Sequence, residues 1–80
     1  MAAAVPIPEP VAVDFRFAWR VDYFKTAEEA VRFAEYQRAQ GYNVSEPWEP
    51  CDYRHHSGST VHRDVHGVHW SDRPGEGWYQ

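Results

Sequence analysis

The sequence predicts an α+β fold, in which one helix packs on one face of a small, mainly antiparallel sheet. Three observations lead to this prediction. Apolar and polar residues alternate over a long first segment, a capped helix pattern follows it, and short strand patterns broken by proline and glycine fill the second half. The expected order of elements is therefore strand, helix, strand, hairpin.

The first strand is predicted from residue 11 to residue 23, where the alternation has no exception. A period of two is typical of a strand with one buried face and one solvated face. The buried face is expected to carry the odd-numbered residues, namely Val11, Val13, Phe15, Phe17, Trp19, Val21 and Tyr23. Such a strand spans roughly 43 Å, which exceeds the width of a typical small domain.

The helix is predicted over residues 27 to 40. Thr26 and Glu29 form a capping-box pattern at its start, because the threonine hydroxyl can accept a hydrogen bond from the amide three residues on. Gly41 suits the left-handed position that commonly follows the last turn. The helical period places one narrow stripe of small residues toward the sheet. This predicted stripe consists of Ala27, Ala30, Val31 and Ala34.

The predicted helix is too short to cover the predicted first strand. A helix of this length measures about 21 Å, which is about half the length of the strand. The side chains left uncovered are expected to be Val11, Val13 and Phe15. Phe33 and Tyr36 lie outside the predicted helix stripe, so they are expected to be covered by the C-terminal tail or exposed.

A second strand is predicted to begin at residues 42 to 44, directly after the helix. Pro47 and Pro50 confine it to a sheet edge or a short stretch, since proline cannot donate to a sheet ladder. Trp48, between the two prolines, is expected to anchor the core or its rim. Because a single helix connects the first and second strands, we expect these strands to be parallel neighbours.

A hairpin is predicted around residues 64 to 67, because the sequence Asp-Val-His-Gly matches a tight turn. In this register His62 lies opposite His69, and Val61 lies opposite Trp70. All the predicted elements together define a core. It consists of Phe15, Phe17, Trp19, Val21, Ala30, Val31, Ala34, Val44, Val61 and Trp70.

The chain length predicts one small domain. Residues 1–10 contain three prolines at alternate positions and are expected to form an extended, flexible arm. Residues 11–80 are expected to form the domain itself. Its C-terminal tail is rich in glycine and proline and carries the aromatic residues Trp78 and Tyr79.

Composition argues against several functional classes. The net charge of -4 argues against nucleic-acid binding, which needs a basic surface. No apolar stretch is long enough to span a membrane, and no signal-peptide pattern is present. The single cysteine, Cys51, leaves no partner for an internal disulfide and favours a reducing compartment. The expected location is therefore the cytoplasm.

The histidines, all in the second half of the chain, are the metal-binding candidates. His62 and His69 could chelate one zinc ion across the predicted hairpin. Alternatively, Cys51, His55, His62 and His66 supply four donors for a zinc site, although their spacing matches no standard zinc module. A pH response is a further alternative, because histidine changes charge near neutral pH. The alternative to all of these is that the histidines are ordinary solvent-facing residues.

The sequence contains no nucleophile elbow, phosphate loop or dinucleotide fingerprint. We therefore expect a non-enzymatic protein without a cofactor that binds another protein, with a homodimer as a further possibility. The residues predicted to contact the partner are Val11, Val13, Phe33, Tyr36, Trp48, Trp78 and Tyr79.

An accessory or inhibitor protein of a phage or mobile element fits this small size and lack of catalytic motifs. Such a protein would mask a partner surface, for example to block a host defence complex. The alternative function is a histidine-rich metal-binding or pH-responsive regulatory domain, with His62, His66 and His69 as ligands. The two functions differ in whether zinc should raise the thermal midpoint.

Overall fold

The computed structural model describes residues 7–16, 19–54, 58 and 60–72. The fold is α+β, with one helix packed against a small antiparallel sheet, as the sequence predicts. The elements are β1 (Ala12–Arg16), β2 (Trp19–Phe24), α1 (Ala27–Ala39), β3 (Asn43–Val44), β4 (Cys51–Arg54) and β5 (Val61–Ser71). The predicted core residue Phe17 and the tail residues Trp78 and Tyr79 lie outside the described residues.

The last strand of the chain, β5, lies in the middle of the sheet. The strand order is β1-β2-β5-β3, all pairs are antiparallel, and β4 pairs with the first half of β5. Since β2 and β3 are both antiparallel to β5, they are parallel to each other. The prediction that they are neighbours is wrong, because β5 inserts between them from a distant part of the sequence.

The predicted first strand is in fact a hairpin of two strands. Arg16 lies opposite Trp19 and Ala12 lies opposite Tyr23, so the chain reverses direction between β1 and β2. The prediction of one continuous strand is therefore wrong. The turn could not be predicted, because the sequence carries no turn signal here. No glycine, proline, asparagine or aspartate occurs between Arg16 and Trp19.

The register of this hairpin divides the predicted apolar face between the two faces of the sheet. Phe15 pairs with Arg20 and Val13 pairs with Asp22, so each odd-numbered residue of β1 lies opposite an even-numbered residue of β2. Directly paired residues point to the same face. Val21 therefore points to the face opposite Phe15. Phe15, predicted in the core, is 69% exposed, whereas Val21 is buried.

Helix α1 begins and ends as the capping signals predict. Thr26 is the N-cap, and its Oγ1 accepts a hydrogen bond from the backbone amide of Glu29 at 3.1 Å. The same hydroxyl donates to the Glu29 carboxylate at 3.2 Å. Gly41 follows the C-cap Gln40 with a φ of 89°, a left-handed conformation that glycine adopts without strain.

The buried face of α1 is rotated from the predicted stripe toward Phe33. Val31 is 44% exposed and Ala27 is also exposed, so the prediction that they face the sheet is wrong. Phe33 is buried instead, and its ring lies 4.8 Å from that of Phe24, centroid to centroid. Burial of phenylalanine removes more apolar area from water than burial of valine, which explains the rotation. The buried helix residues are Ala30, Phe33, Ala34 and Gln37.

Two apolar clusters lie on the two faces of the sheet. The cluster under α1 consists of Phe24, Ala30, Phe33, Ala34 and Val68, with Val44 and Trp70 packed against it. The cluster on the second face consists of Val21, Tyr23, Tyr53 and Val65, with Ala12, Trp48 and Cys51 packed against it. Tyr23 and Tyr53 stack with their ring centroids 4.1 Å apart. Large side chains from β4 and the segment before it therefore cover the second face.

The predicted core is partly correct. Val21, Ala30 and Ala34 are buried. Val44, Trp70, Trp19 and Val61 are half-buried. The errors at Phe15 and Val31 have the two causes given above, the hairpin register and the rotation of the helix.

Residues 43–54 follow one edge of β5 along most of its length. β3 pairs with the end of β5, the Trp48 amide donates to the Gly67 carbonyl at 2.8 Å, and β4 pairs with the start of β5. Pro47 and Pro50 separate β3 from β4, as their lack of an amide donor predicts. This segment is therefore an interrupted edge strand.

The hairpin predicted around residues 64–67 is wrong, because β5 runs without interruption from Val61 to Ser71. The turn signal marks a β-bulge instead, at which Arg63 and Asp64 of β5 lie opposite Asp52 of β4. Asp64 has a φ of 55°, which aspartate tolerates better than most residues. Asp52 stabilises the bulge, since its carboxylate accepts from the Asp64 amide at 3.1 Å and from Arg63 Nη1 at 3.2 Å.

Trp48 packs directly against the backbone of Gly67. A Cβ atom added at Gly67 would lie 2.5 Å from Cε3 of the indole ring, closer than real Cβ contacts allow. An aromatic side chain over a strand glycine covers backbone that the glycine leaves exposed. Gly67 therefore has a packing role, because it lets Trp48 reach the second-face cluster.

We expect the substitution Gly67→Ala to lower the free energy of unfolding by about 1–3 kcal/mol, because the new methyl group overlaps the Trp48 ring. Urea unfolding followed by circular dichroism measures this change. In a Trp48→Ala background the same substitution should cost less than about 1 kcal/mol, because the overlapping ring is absent. An equal loss in both backgrounds would contradict the proposed contact.

Candidate protein-binding surface

The outer edge of the sheet carries a row of apolar side chains on the face that α1 packs against. Val13 and Phe15 lie on this face because their partners on β2 do. Val11 directly precedes the strand, and its amide donates to the Tyr23 carbonyl at 2.8 Å. Val11 is 43% exposed and Phe15 is 69% exposed, whereas Val13 is half-buried. The three side chains predicted to remain uncovered therefore form one row at the sheet edge.

Helix α1 leaves this row uncovered because it packs over β2, β5 and β3. Phe33 contacts Phe24 on β2 and Trp70 on β5, with ring centroids 4.8 Å and 6.1 Å apart. On the other flank, Arg38 Nη2 donates to the carbonyl of Ser45, just after β3, at 3.4 Å. β1 lies beyond β2, at the opposite edge of the sheet from β3.

Tyr36 is an exposed aromatic side chain of the helix. It lies roughly 160° around the helix axis from Arg38, which points to β3, so Tyr36 lies on the flank toward β2 and β1. Phe33 contacts Trp70, and Trp70 and Phe15 both pair with Arg20. Tyr36 follows Phe33 by almost one helical turn. Tyr36 is 42% exposed. We name the following four residues the β1 surface: Val11, Val13, Phe15 and Tyr36.

Arg20 connects the exposed Phe15 ring to the interior. Its Cζ lies 5.4 Å from the ring centroid of Phe15 and 5.4 Å from that of Trp70. Phe15, Arg20 and Trp70 are direct partners across β1, β2 and β5. Cation–π attraction therefore holds the Phe15 ring in place although most of its surface is in solvent.

A fully buried carboxylate orients Arg20. Asp22 Oδ1 accepts from Arg20 Nε at 2.9 Å and from Trp70 Nε1 at 2.9 Å, and Oδ2 accepts from Arg20 Nη2 at 3.2 Å. The Asp22 side chain is 0% exposed and that of Arg20 is 38% exposed. This two-point contact fixes the plane of the guanidinium and neutralises its charge. Asp22 therefore holds Arg20 in the position in which its guanidinium contacts the Phe15 ring.

The other residues predicted to contact a partner lie elsewhere. Phe33 is 5% exposed and belongs to the core, so its assignment to the binding surface is wrong. Trp48 is half-buried against Gly67, on the second face. Trp78 and Tyr79 lie outside the described residues. Of the predicted set, Val11 and Val13 lie near the sheet edge with Phe15, and Tyr36 is exposed on helix α1.

The described metal-binding candidates do not lie together, and His55 lies outside the described residues. His62 and His69 lie on the same strand, seven residues and roughly 23 Å apart, because the predicted hairpin does not form. His66 Nδ1 lies 3.1 Å from the Trp48 carbonyl, and the His69 ring lies 4.7 Å from that of Trp19. Among the described residues, no group of three or more His, Cys, Asp or Glu side chains could hold a metal ion.

Phe15 is absent from the predicted partner contacts, although it is among the side chains predicted to remain uncovered, and the roles of Arg20 and Asp22 were not predicted. Arg20 and Asp22 fall on the polar side of the alternation, which predicts a solvated position. The only available signal is that Phe24 shares their parity, so this side of β2 is not uniformly polar. Only the hairpin register shows that this side of β2, with Arg20, Asp22 and Phe24, is the side that α1 covers.

Comparison of the chain with protein-family models, curated proteins and solved structures found no match. In the described part of the chain, no helix is long and apolar enough to cross a membrane. The geometry and chemistry of the β1 surface are therefore the basis for assigning a function.

We expect Phe15→Ala to change the free energy of unfolding by less than about 1 kcal/mol, because the lost contact is an exposed cation–π pair. Phe33→Ala, the matched control in the core, should cost about 3–5 kcal/mol. Thermal and urea unfolding of both variants measure the difference. A loss at Phe15 as large as that at Phe33 would show that Phe15 is buried in solution.

We expect Asp22→Asn to lower the free energy of unfolding by about 2–4 kcal/mol, because Arg20 loses its buried counter-charge. The amide oxygen can still accept from Trp70, so the loss reports mainly on the ion pair. Asp52→Asn is the control, since its pair with Arg63 is exposed and should contribute less than about 1 kcal/mol. Equal losses for the two variants, measured by urea unfolding, would contradict a special role for Asp22.

Proposed function

We propose that this protein is a non-enzymatic binding module that contacts another protein through the β1 surface. The observation that supports this proposal most directly is the exposure of Phe15 on the edge strand β1 and of Val11 just before this strand. Contiguous exposed apolar side chains are typical of interaction sites, whereas scattered ones need no explanation. At β1 the exposed Val11 and Phe15 flank the half-buried Val13, and Tyr36 is exposed on the helix flank toward β2.

The composition of the β1 surface suits a protein partner. Aromatic side chains and arginine are enriched at the centres of protein–protein interfaces. Phe15 and Tyr36 supply the aromatic rings, and Arg20 supplies a guanidinium that Asp22 already orients. Pre-oriented side chains lose less conformational entropy on binding. A nucleic-acid partner fits less well, because the chain carries a net charge of -4.

In this proposal the protein acts as an accessory or inhibitor protein that masks a surface of its partner. A phage or mobile-element protein that blocks a host defence complex is one example of this mode of action. The reduced thiol of Cys51 fits a reducing compartment, so we place the protein in the cytoplasm.

The test is quantitative capture of binding partners from an extract of the cells that produce the protein. We expect Phe15→Ser and Tyr36→Ser to reduce capture of one specific protein at least about tenfold, as loss of an interface anchor does. Val31→Ser is the matched control, because Val31 is 44% exposed, close to the 42% of Tyr36, but lies on the opposite helix flank.

The captured protein must then bind the purified chain directly, with the same ranking of variants. Circular dichroism of each variant shows whether the fold is retained. Capture that is insensitive to both substitutions would refute the β1 surface as the binding site. Turnover in a broad hydrolase screen, together with no captured protein, would favour an enzyme instead.

A further inference from the structure

Strand β1 has an outer edge with which no strand pairs among the described residues. Natural edge strands are commonly protected against pairing by proline, by lysine or by a bulge. β1, Ala12–Arg16, contains no proline or lysine and pairs regularly with β2, and its two charged residues are the buried Asp14 and, at its end, Arg16. The two nearest prolines, Pro8 and Pro10, precede the strand. This edge is therefore able to accept a further strand.

We propose that the β1 edge binds an extended, positively charged segment of the partner protein, which adds to the sheet as a further β-strand. This inference rests on the proposed function and specifies how the partner binds. Strand addition obtains affinity from main-chain hydrogen bonds and specificity from alternate side chains. Both features are available at β1, since its open edge lies beside the row formed by Val11, Val13 and Phe15.

The row determines the side-chain pattern of the added strand. Side chains directly opposite each other on adjacent strands lie about 5 Å apart. An added strand therefore places every second side chain next to Val11, Val13 and Phe15, and these side chains must be apolar to bury the row.

Charge distinguishes a foreign segment from a second copy of the chain. Each copy carries a net charge of -4, so two copies repel each other at long range. Arg20, next to Phe15, does not offset this charge locally, because the buried Asp22 carboxylate neutralises it. In and just before β1, Glu9 and Asp14 are acidic and Arg16 is basic, so this segment is negative by one charge, and Glu9 is exposed. A cationic segment is therefore the occupant that the electrostatics favour.

The test uses synthetic peptides of about ten residues, a typical upper length for a strand. The first alternates lysine with valine, the second alternates glutamate with valine, and the third is the lysine peptide with every backbone amide N-methylated. Binding to the full chain is followed by amide chemical shifts. We expect the lysine peptide to shift the amides of residues 12–16, with affinity that falls as salt rises.

The variants test the site on the protein. Phe15→Ser should weaken binding of the lysine peptide about tenfold, whereas Val31→Ser should leave it unchanged. N-methylation should abolish binding, because it removes the donors that a strand requires. Equal binding of the lysine and glutamate peptides would overturn the charge assignment, and equal binding of the methylated peptide would overturn strand addition.

Two further results would overturn the assigned occupant. A dimer by light scattering that Phe15→Ser dissociates would show that a second copy occupies the edge. A monomer whose β1 amides are protected from exchange without peptide would show that the chain covers its own edge. If capture of the natural partner depends on Phe15 while no peptide binds, strand addition fails but the proposed function stands. If capture does not depend on Phe15, the proposed function itself fails.

Discussion

The structure depends on the limited area that a single helix can cover. A helix is about 10 Å wide, and neighbouring strands are about 4.8 Å apart, so α1 covers little more than two strands fully. The sheet order β1-β2-β5-β3 is wider than this, and α1 packs over β2, β5 and β3. Two areas are left without helical cover. Trp48 and Tyr53 cover the second face, and the helix-side face of β1 remains exposed.

The ion pair of Asp22 and Arg20 connects this packing problem to the binding surface. Asp22 is buried at the margin of the helix-covered area, where a lone carboxylate would be very unfavourable. Hydrogen bonds from Arg20 and Trp70 compensate for its burial. The same arginine then holds the ring of Phe15 beside the open edge. The interaction that stabilises the interior therefore also orients the exposed aromatic residue that we assign to partner binding.

The candidate site was predictable only in part. The excess of apolar strand over helix length predicts that Val11 and Val13 remain uncovered. Val11 is exposed and Val13 is half-buried, but the cause is the position of β1 beyond the strands that α1 covers, and not one long strand. The burial of Phe33 was not predictable from the helical period, because the rotation of α1 depends on the contact between Phe33 and Phe24. The separation of His62 from His69 depends on whether Asp64 begins a turn or a bulge. That choice depends on Asp52, which binds the Asp64 amide from β4.

The sequence by itself determined the α+β class, the strand character of the first segment and both ends of α1. These features depend on interactions within a few residues, such as the hydrogen bond between Thr26 and Glu29 and the left-handed conformation of Gly41. Only the tertiary structure decided which face each strand residue occupies. Burial in a sheet depends on the pairing register, because a shift of one residue moves every side chain of a strand to the other face of the sheet. Phe15 and Val21 share one parity in the sequence, yet the pairing of β1 with β2 places them on opposite faces.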